Sequence, residues 1–394
     1  MELFIFTDLQ KDKVIKNLIK FKESGDEKAY YKVMRKLIKH SEKRFGIGEY
    51  IREYIVRTML EQDNLPDFER ARAFLRLDAK TIYYELLSTD WDACCEKYGQ
   101  LPFSVINGPT AEHGLTTYTS SLSGLMYPTS AEAFIGSLIA HAEVFGTGKT
   151  SSYAALRWEN GKLRGILNTD PITFGDLVGL EHQKKVLISN TESFLKGLPA
   201  NDVLLTGSSG TGKSSCVKAC LNMFKGDGLR LIELRKSSLG DLGRVLKSIN
   251  NKMLKYIIFI DDLSFEPDDP SYKELKVALD GQAETRDSNV LIYATSNRRR
   301  LIKETWTDRE GGDEIHRSEA LSERKSLADR FGINLSFITP TQKEYLNIVA
   351  SILARHNIDM TEEIKSDALT WQIQYNGFSG RTAEQFAAHV LSSI

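Results

Sequence analysis

One run of residues constrains this chain more than any other: Gly207, Ser208, Ser209, Gly210, Thr211, Gly212, Lys213 and Ser214. The apolar run Val203, Leu204, Leu205 precedes it, and a helical pattern from Ser215 to Phe224 follows. Gly-x-x-x-x-Gly-Lys-Ser between a strand and a helix is a phosphate cradle. The glycines let the backbone curl until its N–H groups face an anion, and the helix N-terminus adds a favourable field. Lys213 is expected to reach the β- and γ-phosphates of a nucleotide, and the Ser214 hydroxyl to ligate magnesium. A second string, Gly146, Thr147, Gly148, Lys149, Thr150, has Glu143 where a first glycine belongs and a hairpin pattern after it. It reads as a turn.

The surrounding pattern supplies the rest of a fold. Strands are expected over 202–206, 229–234, 256–261, 290–295 and 333–337, with helical periodicity between them. Short apolar strands alternating with helices imply an α/β chain with a parallel sheet covered on both faces. After Pro340 the pattern is helical to Ile394, in three segments. Residues 1–105 carry apolar residues at helical spacing, as in Val14, Ile15, Leu18 and Ile19. Residues 106–130 turn to Ser and Thr and read as a linker or irregular connection, followed by a short helix from Ala131 to His141. A hairpin is then marked by Asn160 and Gly161 between apolar runs, since both tolerate positive φ. The expected organisation is a helical adaptor or regulatory region over 1–105, a linker with a hairpin over 106–170, a nucleotide-binding core over 171–338 and a helical lid over 339–394.

Composition narrows the class. Hydrophobic residues make up 41% of the chain, which excludes disorder as its main state. The net charge of -1 excludes a globally basic nucleic-acid binder, though not a local basic patch. The four cysteines form no zinc pattern, and Cys216 and Cys220 read as small buried packing residues. No apolar stretch is long enough to span a membrane, and the opening MELFIFTDLQ lacks a basic n-region. A soluble, cytoplasmic protein is expected.

Several polar groups cluster at expected strand ends. The run Tyr256–Ile260 ends in Asp261 and Asp262. One such acid can hold a magnesium shell and the other can polarise the attacking water; these roles fall to Asp261 and Asp262 respectively. Asp262 is shorter than the glutamate usual there. Val290–Ser296 ends in Asn297, expected to contact the γ-phosphate or the water, with a simple strand cap as the plain alternative. Arg298, Arg299 and Arg300 follow, suited to solvent, phosphate, a neighbouring subunit or nucleic acid. Arg330 closes a helix before the last strand, placed to insert into a neighbour's nucleotide site; the alternative is an ion pair with Asp329 or Glu323, and Arg324 is a weaker competitor. Arg381 lies in the first turn of the last helix, where a cation is unfavourable unless an anion joins it.

Taken together, these strings resemble the AAA+ ATPase superfamily: GSSGTGKSS its Walker A, IIFIDD its Walker B, ATSN its sensor 1, ADRFG its arginine-finger box and FSGRT its sensor 2. The box at Asp176, Leu177, Val178, Gly179 and Leu180 resembles the one that packs around adenine. More narrowly, NTESFLKGLPANDVLL, IIFIDDLSFE and NVLIYATSNRR resemble a bacterial family of predicted ATPases catalogued as domain of unknown function eight hundred and fifteen. The resemblance covers residues 150–394. It implies a five-stranded core of order 5-1-4-3-2 with a helical lid, and a site for ATP and Mg2+ held by Gly207 through Ser215 with Val178 and Gly179. It also implies ATP sites completed between subunits of a homo-oligomeric ring or spiral, often of six, and ATP-driven remodelling of a macromolecule that it does not name; a protein client or DNA, a DNA-associated loader and a slow ATP-dependent conformational switch are the readings left open. The loop from Arg235 to Asp241 has no aromatic residue, which counts against peptide threading.

Overall fold

The computed structural model describes residues 1–38, 47–62, 65–66, 68, 70–96, 98, 116–148, 150–249, 254–265, 271–280, 289–297, 327–375 and 377–393. Seven strands form one sheet: β1 (Ala155–Glu159), β2 (Lys162–Ile166), β3 (Val203–Gly207), β4 (Leu229–Glu233), β5 (Lys255–Ile260), β6 (Val290–Ser296) and β7 (Ile333–Phe337). Their order is β2-β1-β4-β5-β6-β3-β7. The pairs β1–β4, β4–β5, β5–β6, β6–β3 and β3–β7 are all parallel. Strands β3 to β7, numbered one to five, therefore run 5-1-4-3-2 across the sheet, the order the resemblance implies. Burial explains their composition. Every residue of β6 is buried, as are Val203, Leu204 and Leu205 of β3 and Ile257 to Ile260 of β5. A parallel strand covered on both faces has no polar side to show.

The hairpin forms as its turn predicts, with Asn160 at φ 51° and Gly161 at φ 74°. It does more than expected, because β1 pairs in register with β4, Ala155 opposite Leu231. The sheet thus extends the five-stranded core by two.

By its internal contacts the chain divides into two compact units. One comprises residues 1–154 with 165–168 and 250–254; the other comprises 155–164, 169–249 and 255–394. The first unit is helical among its described elements, with a core that includes Ile15, Leu18, Ile51, Ile55, Leu75 and Trp91. Its N-terminal segment, ahead of the first helix, is held by one carboxylate. Asp78 is 1% exposed and accepts the backbone N–H groups of Phe4, Ile5 and Phe6 at 2.9, 2.7 and 3.1 Å. Three donors of this kind offset the cost of burying the charge. One expectation needs correction here. The Ser- and Thr-rich stretch read as irregular contains a helix, Thr116–Met126. Leu122, Leu125 and Met126 are buried, and that burial outweighs the weak helix propensity of its Ser and Thr residues. The next helix runs Ala131–Phe145, past His141, and stops at Gly146.

In the second unit the helix Glu181–Leu195 is knitted to β6 by buried polar groups. The Tyr293 hydroxyl lies 2.9 Å from Thr191 Oγ1 and accepts from Asn190 Nδ2 at 3.0 Å. Asn190 also holds the Asn201 backbone through both ends of its amide. Burial pushes the Tyr293 phenol well above its ordinary value, so it stays a neutral hydrogen-bonding group. The three C-terminal helices, Gln342–Ala354, Glu362–Gln374 and Gly380–Ser392, share their own core around Tyr345, Val349, Leu353 and Phe386. Among the described residues no helix is long and apolar enough to cross a membrane. Tyr293→Phe should remove the acceptor for Asn190 and the partner of Thr191, at a cost of about 1–2 kcal/mol. A thermal melt is expected to fall by a few degrees, and an unchanged midpoint would remove that network from the account.

Candidate functional site

Because β3, β5 and β6 are neighbours and parallel, their carboxyl ends open at the same edge of the sheet. Residues far apart in the chain therefore meet there: the loop after Gly207, the acids after Ile260, and Asn297. Such an edge is where open α/β sheets bind ligands.

The loop's glycines are structural requirements. Gly207, Gly210 and Gly212 have φ of 148°, 74° and 93°. A Cβ on Gly207 would strike the Phe337 carbonyl oxygen of β7. A Cβ on Gly210 would lie 3.0 Å from Ser379 Oγ at the start of the last helix, whose Gly380 N–H donates to the Gly210 carbonyl at 2.8 Å. The Thr211 hydroxyl closes the loop on the Ser208 carbonyl at 2.8 Å. The helix Lys213–Phe224 then starts with no side chain capping it, which leaves its first N–H groups for an anion.

Lys213 is buried, and its ammonium donates to the carbonyls of Gly207 and Ser208 at 2.7 and 2.6 Å and to Asn297 Oδ1 at 3.0 Å. Burial lowers its pKa, while the charges of Asp261 and Asp262 work the other way. Asn297 in turn donates through Nδ2 to Asp262 Oδ1 at 2.7 Å. On the other side, the Ser214 hydroxyl donates to Asp261 Oδ1 at 2.6 Å. One further side chain joins these two branches. Thr295, 1% exposed on β6, donates to Asp261 Oδ1 at 2.5 Å and accepts the Asp262 N–H at 2.9 Å. Asp262 has a left-handed backbone, φ 54°, a conformation that costs an Asp about 1 kcal/mol.

These groups face a cleft of about 1070 Å³. Ser209 through Ser215 line it, as do Asp261, Asp262 and Asn297. Gly207 and Ser208 stand behind them, holding Lys213. Val178 and Gly179 line the far side with Leu180, Ile338, Ile348 and Ile352, an apolar wall suited to a flat base. That side is pinned by Asp176, which takes Arg355 Nη1 at 3.0 Å and the N–H and hydroxyl of Thr173 at 2.6 and 2.8 Å. Burial works against ionisation of Asp176, but these partners outweigh it and hold its carboxyl below the usual range. Arg381 is exposed and lines the cleft, one turn before Glu384, whose carboxyl is pushed up by burial and by the charge of Asp170. Arg330 is half-buried just before β7 and does not line the cleft. Arg298, Arg299, Arg300 and Arg324 lie outside the described residues, as does Lys149. The described residues around Lys149 form bends and turns rather than a helix. Cys216 and Cys220 are fully buried, with thiols pushed up to about 12 by burial.

The donor set can be tested against the groups it is expected to hold. Among the described residues no cluster of three or more His, Cys, Asp or Glu could hold a metal by itself. Magnesium does not need one, since it binds through one or two protein oxygens plus phosphate oxygens and water. Ser214 and Asp261 are hard oxygen donors of that kind, and they adjoin the phosphate cradle. Sequence reasoning missed Thr295 and Arg355. Thr295 was visible as a hydroxyl at a buried strand's end, but nothing local marks Arg355 as the partner of Asp176.

A family model described as "Protein of unknown function (DUF815)" matches residues 151–394. Among solved structures the chain is similar to the Thermotoga maritima RuvB Holliday junction branch migration motor, with 17% identity and a TM-score of 0.38, over 56% of this chain and 65% of that one. It is also similar to the FIGL-1 AAA domain in complex with ADP, with 24% identity and a TM-score of 0.38, over 56% of this chain and 73% of that one. A secreted triacylglycerol lipase of Malassezia globosa is 31% identical over 84 residues, which is 20% of this chain and 18% of the lipase. The chain thus spans just under two thirds of the RuvB chain and under a fifth of the lipase. The fold assignment rests on the strand order above and not on these partial likenesses. Lys213→Ala should weaken ATP binding at least about 100-fold, the loss of a charge-assisted contact to phosphate. Equilibrium titration with a fluorescent ATP analogue checks this, and unchanged affinity would contradict the phosphate cradle.

Proposed function

The chain belongs to the DUF815 family, and from the geometry of its cleft we propose that it is a magnesium-dependent ATPase of the AAA+ type. The observation that carries this reading is the hydrogen-bonded chain from Ser214 through Asp261, Thr295 and Asp262 to Asn297 and Lys213. It brings together around one loop the groups to which this reading gives the metal, the attacking water and the phosphates.

The roles follow from chemistry. Lys213 exchanges its carbonyl partners for β- and γ-phosphate oxygens. The backbone from Gly207 to Ser215 wraps those phosphates, and Val178 and Gly179 border the adenine. Magnesium, when bound, supplies positive charge against the phosphate oxygens. Ser214 would offer its hydroxyl oxygen to that ion while its O–H goes on donating a hydrogen bond to Asp261. Asp262 accepts a hydrogen bond from the attacking water, with its carboxylate held by Asn297. The new bond joins the water oxygen to the γ-phosphorus, and the bond to the bridging oxygen breaks, giving ADP and phosphate. Arg381 faces the phosphates from the last helix, where an anion relieves its unfavourable position at a helix N-terminus.

Arg330 does not line its own chain's cleft. That supports a role in a neighbour's site, within a homo-oligomer whose subunits share ATP sites and use hydrolysis to remodel or load a macromolecular client. The loop after β4 supports a client that is not threaded as a peptide. Its two large apolar residues, Leu234 and Leu239, are both buried and cannot grip a chain. A slow, switch-like hydrolysis is favoured by one observation, the short side chain of Asp262 tied to Asn297 at 2.7 Å. Arg330→Ala should leave ATP affinity intact and lower turnover by about 10³-fold or more. Mixing it with Asp262→Asn should restore part of the activity, because some interfaces then pair an intact Arg330 with an intact Asp262. No recovery in mixed oligomers of verified composition would contradict the shared site.

A further inference from the structure

The hydroxyl of Thr295 touches both acids of the cleft, and none of the roles above uses it. It donates to Asp261 Oδ1, the oxygen that also receives the Ser214 proton, and it accepts the N–H of Asp262. A threonine hydroxyl has one proton to give and two lone pairs. Here the proton and a lone pair are each spent on a different acid. The adjacent Leu263 N–H donates to the Thr295 carbonyl at 2.7 Å, so the backbone turn after Asp262 is clamped to the same residue.

We propose that Thr295 is the positioning residue of this site: its single hydroxyl fixes the Asp261 carboxylate for the metal and the left-handed backbone of Asp262 for the water. The inference rests on the nucleotide-site reading. Two hydroxyls converging on Oδ1 set the rotation of the Asp261 carboxylate. With the Thr295 hydroxyl gone, Ser214 alone would orient that group, and the oxygen that Ser214 presents to magnesium would lose its fixed direction. At the same time the Asp262 N–H would lose its acceptor. Among the described residues, the left-handed turn at φ 54° would then be held from Leu263 and from the side chain of Asn297. β6 is buried along its whole length, and Thr295, though 1% exposed, stands in the wall of the cleft between the two acids.

Valine matches threonine in shape and branching but has no hydroxyl, and serine keeps the hydroxyl. In the full chain, with a slowly hydrolysed ATP analogue bound, Mn2+ affinity is measured by electron paramagnetic resonance for the parent, Thr295→Val and Thr295→Ser. ATP turnover is measured against Mg2+ concentration for the same three. The expected result for Thr295→Val is an approximately tenfold weaker Mn2+ affinity, a turnover lower by about 10–100-fold, and analogue affinity within about threefold of the parent. Thr295→Ser should stay within about threefold of the parent throughout. A purely structural role would shift the melting temperature and leave the metal dependence in place. If Thr295→Val fails to fold, Thr295→Ala supplies the hydroxyl-free form. Parent-like Mn2+ affinity in the hydroxyl-free variant, or a serine variant as impaired as valine, overturns the proposal. Weakened Mn2+ binding in a chain whose parent binds the analogue but hydrolyses no ATP would uphold Thr295 and overturn the hydrolysis reading alone. Absence of analogue binding in the parent overturns both.

Discussion

The carboxylate of Asp261 is the point on which the cleft depends. It stands just past the end of β5 and accepts two hydroxyl hydrogen bonds, one from the phosphate loop's helix and one from β6. These bonds tie together the ends of three adjacent parallel strands. The chain brings those ends together only because the sheet order places β5, β6 and β3 side by side. A different order would leave the same residues intact and scatter them. The buried Lys213 depends on the same arrangement. Its ammonium can be desolvated because Asn297 and two loop carbonyls accept its hydrogen bonds, and because two acids stand nearby.

Much of this was legible in the chain itself. The phosphate loop is a local pattern: its glycines sit where positive φ is needed, and the flanking strand and helix are read from neighbouring residues. Asp261, Asp262 and Asn297 were legible because each follows an apolar run long enough to be a buried strand. The limits are equally physical. Thr295 acts through strand adjacency, which no local pattern states. Asp176 and Arg355 meet across the cleft from distant parts of the chain. The hairpin was visible in Asn160 and Gly161, but the pairing of β1 with β4 is non-local. The helix Thr116–Met126 was hidden because its Ser and Thr residues favour turns, while its few apolar residues decide the outcome by burial.

The second unit carries all the groups that the proposed chemistry uses. The helical unit instead offers a core built on regular apolar spacing and the Asp78 anchor. The start of the last helix touches the phosphate loop directly. Gly380 hangs from the Gly210 carbonyl, and Ser379 and Arg381 pack against the same glycine. The Asp176–Arg355 pair ties the base side of the cleft to the C-terminal helices. Together these contacts join the phosphate loop and Asp176 to the C-terminal helices.

The central claim is that the cleft hydrolyses ATP with magnesium. The most direct measurement is phosphate release from ATP by the purified full chain, with magnesium and with the ion chelated. The account predicts steady release that exceeds the protein-free rate, requires the ion and stops on chelation. Tight ATP binding with no release above the protein-free rate at any magnesium concentration would contradict it.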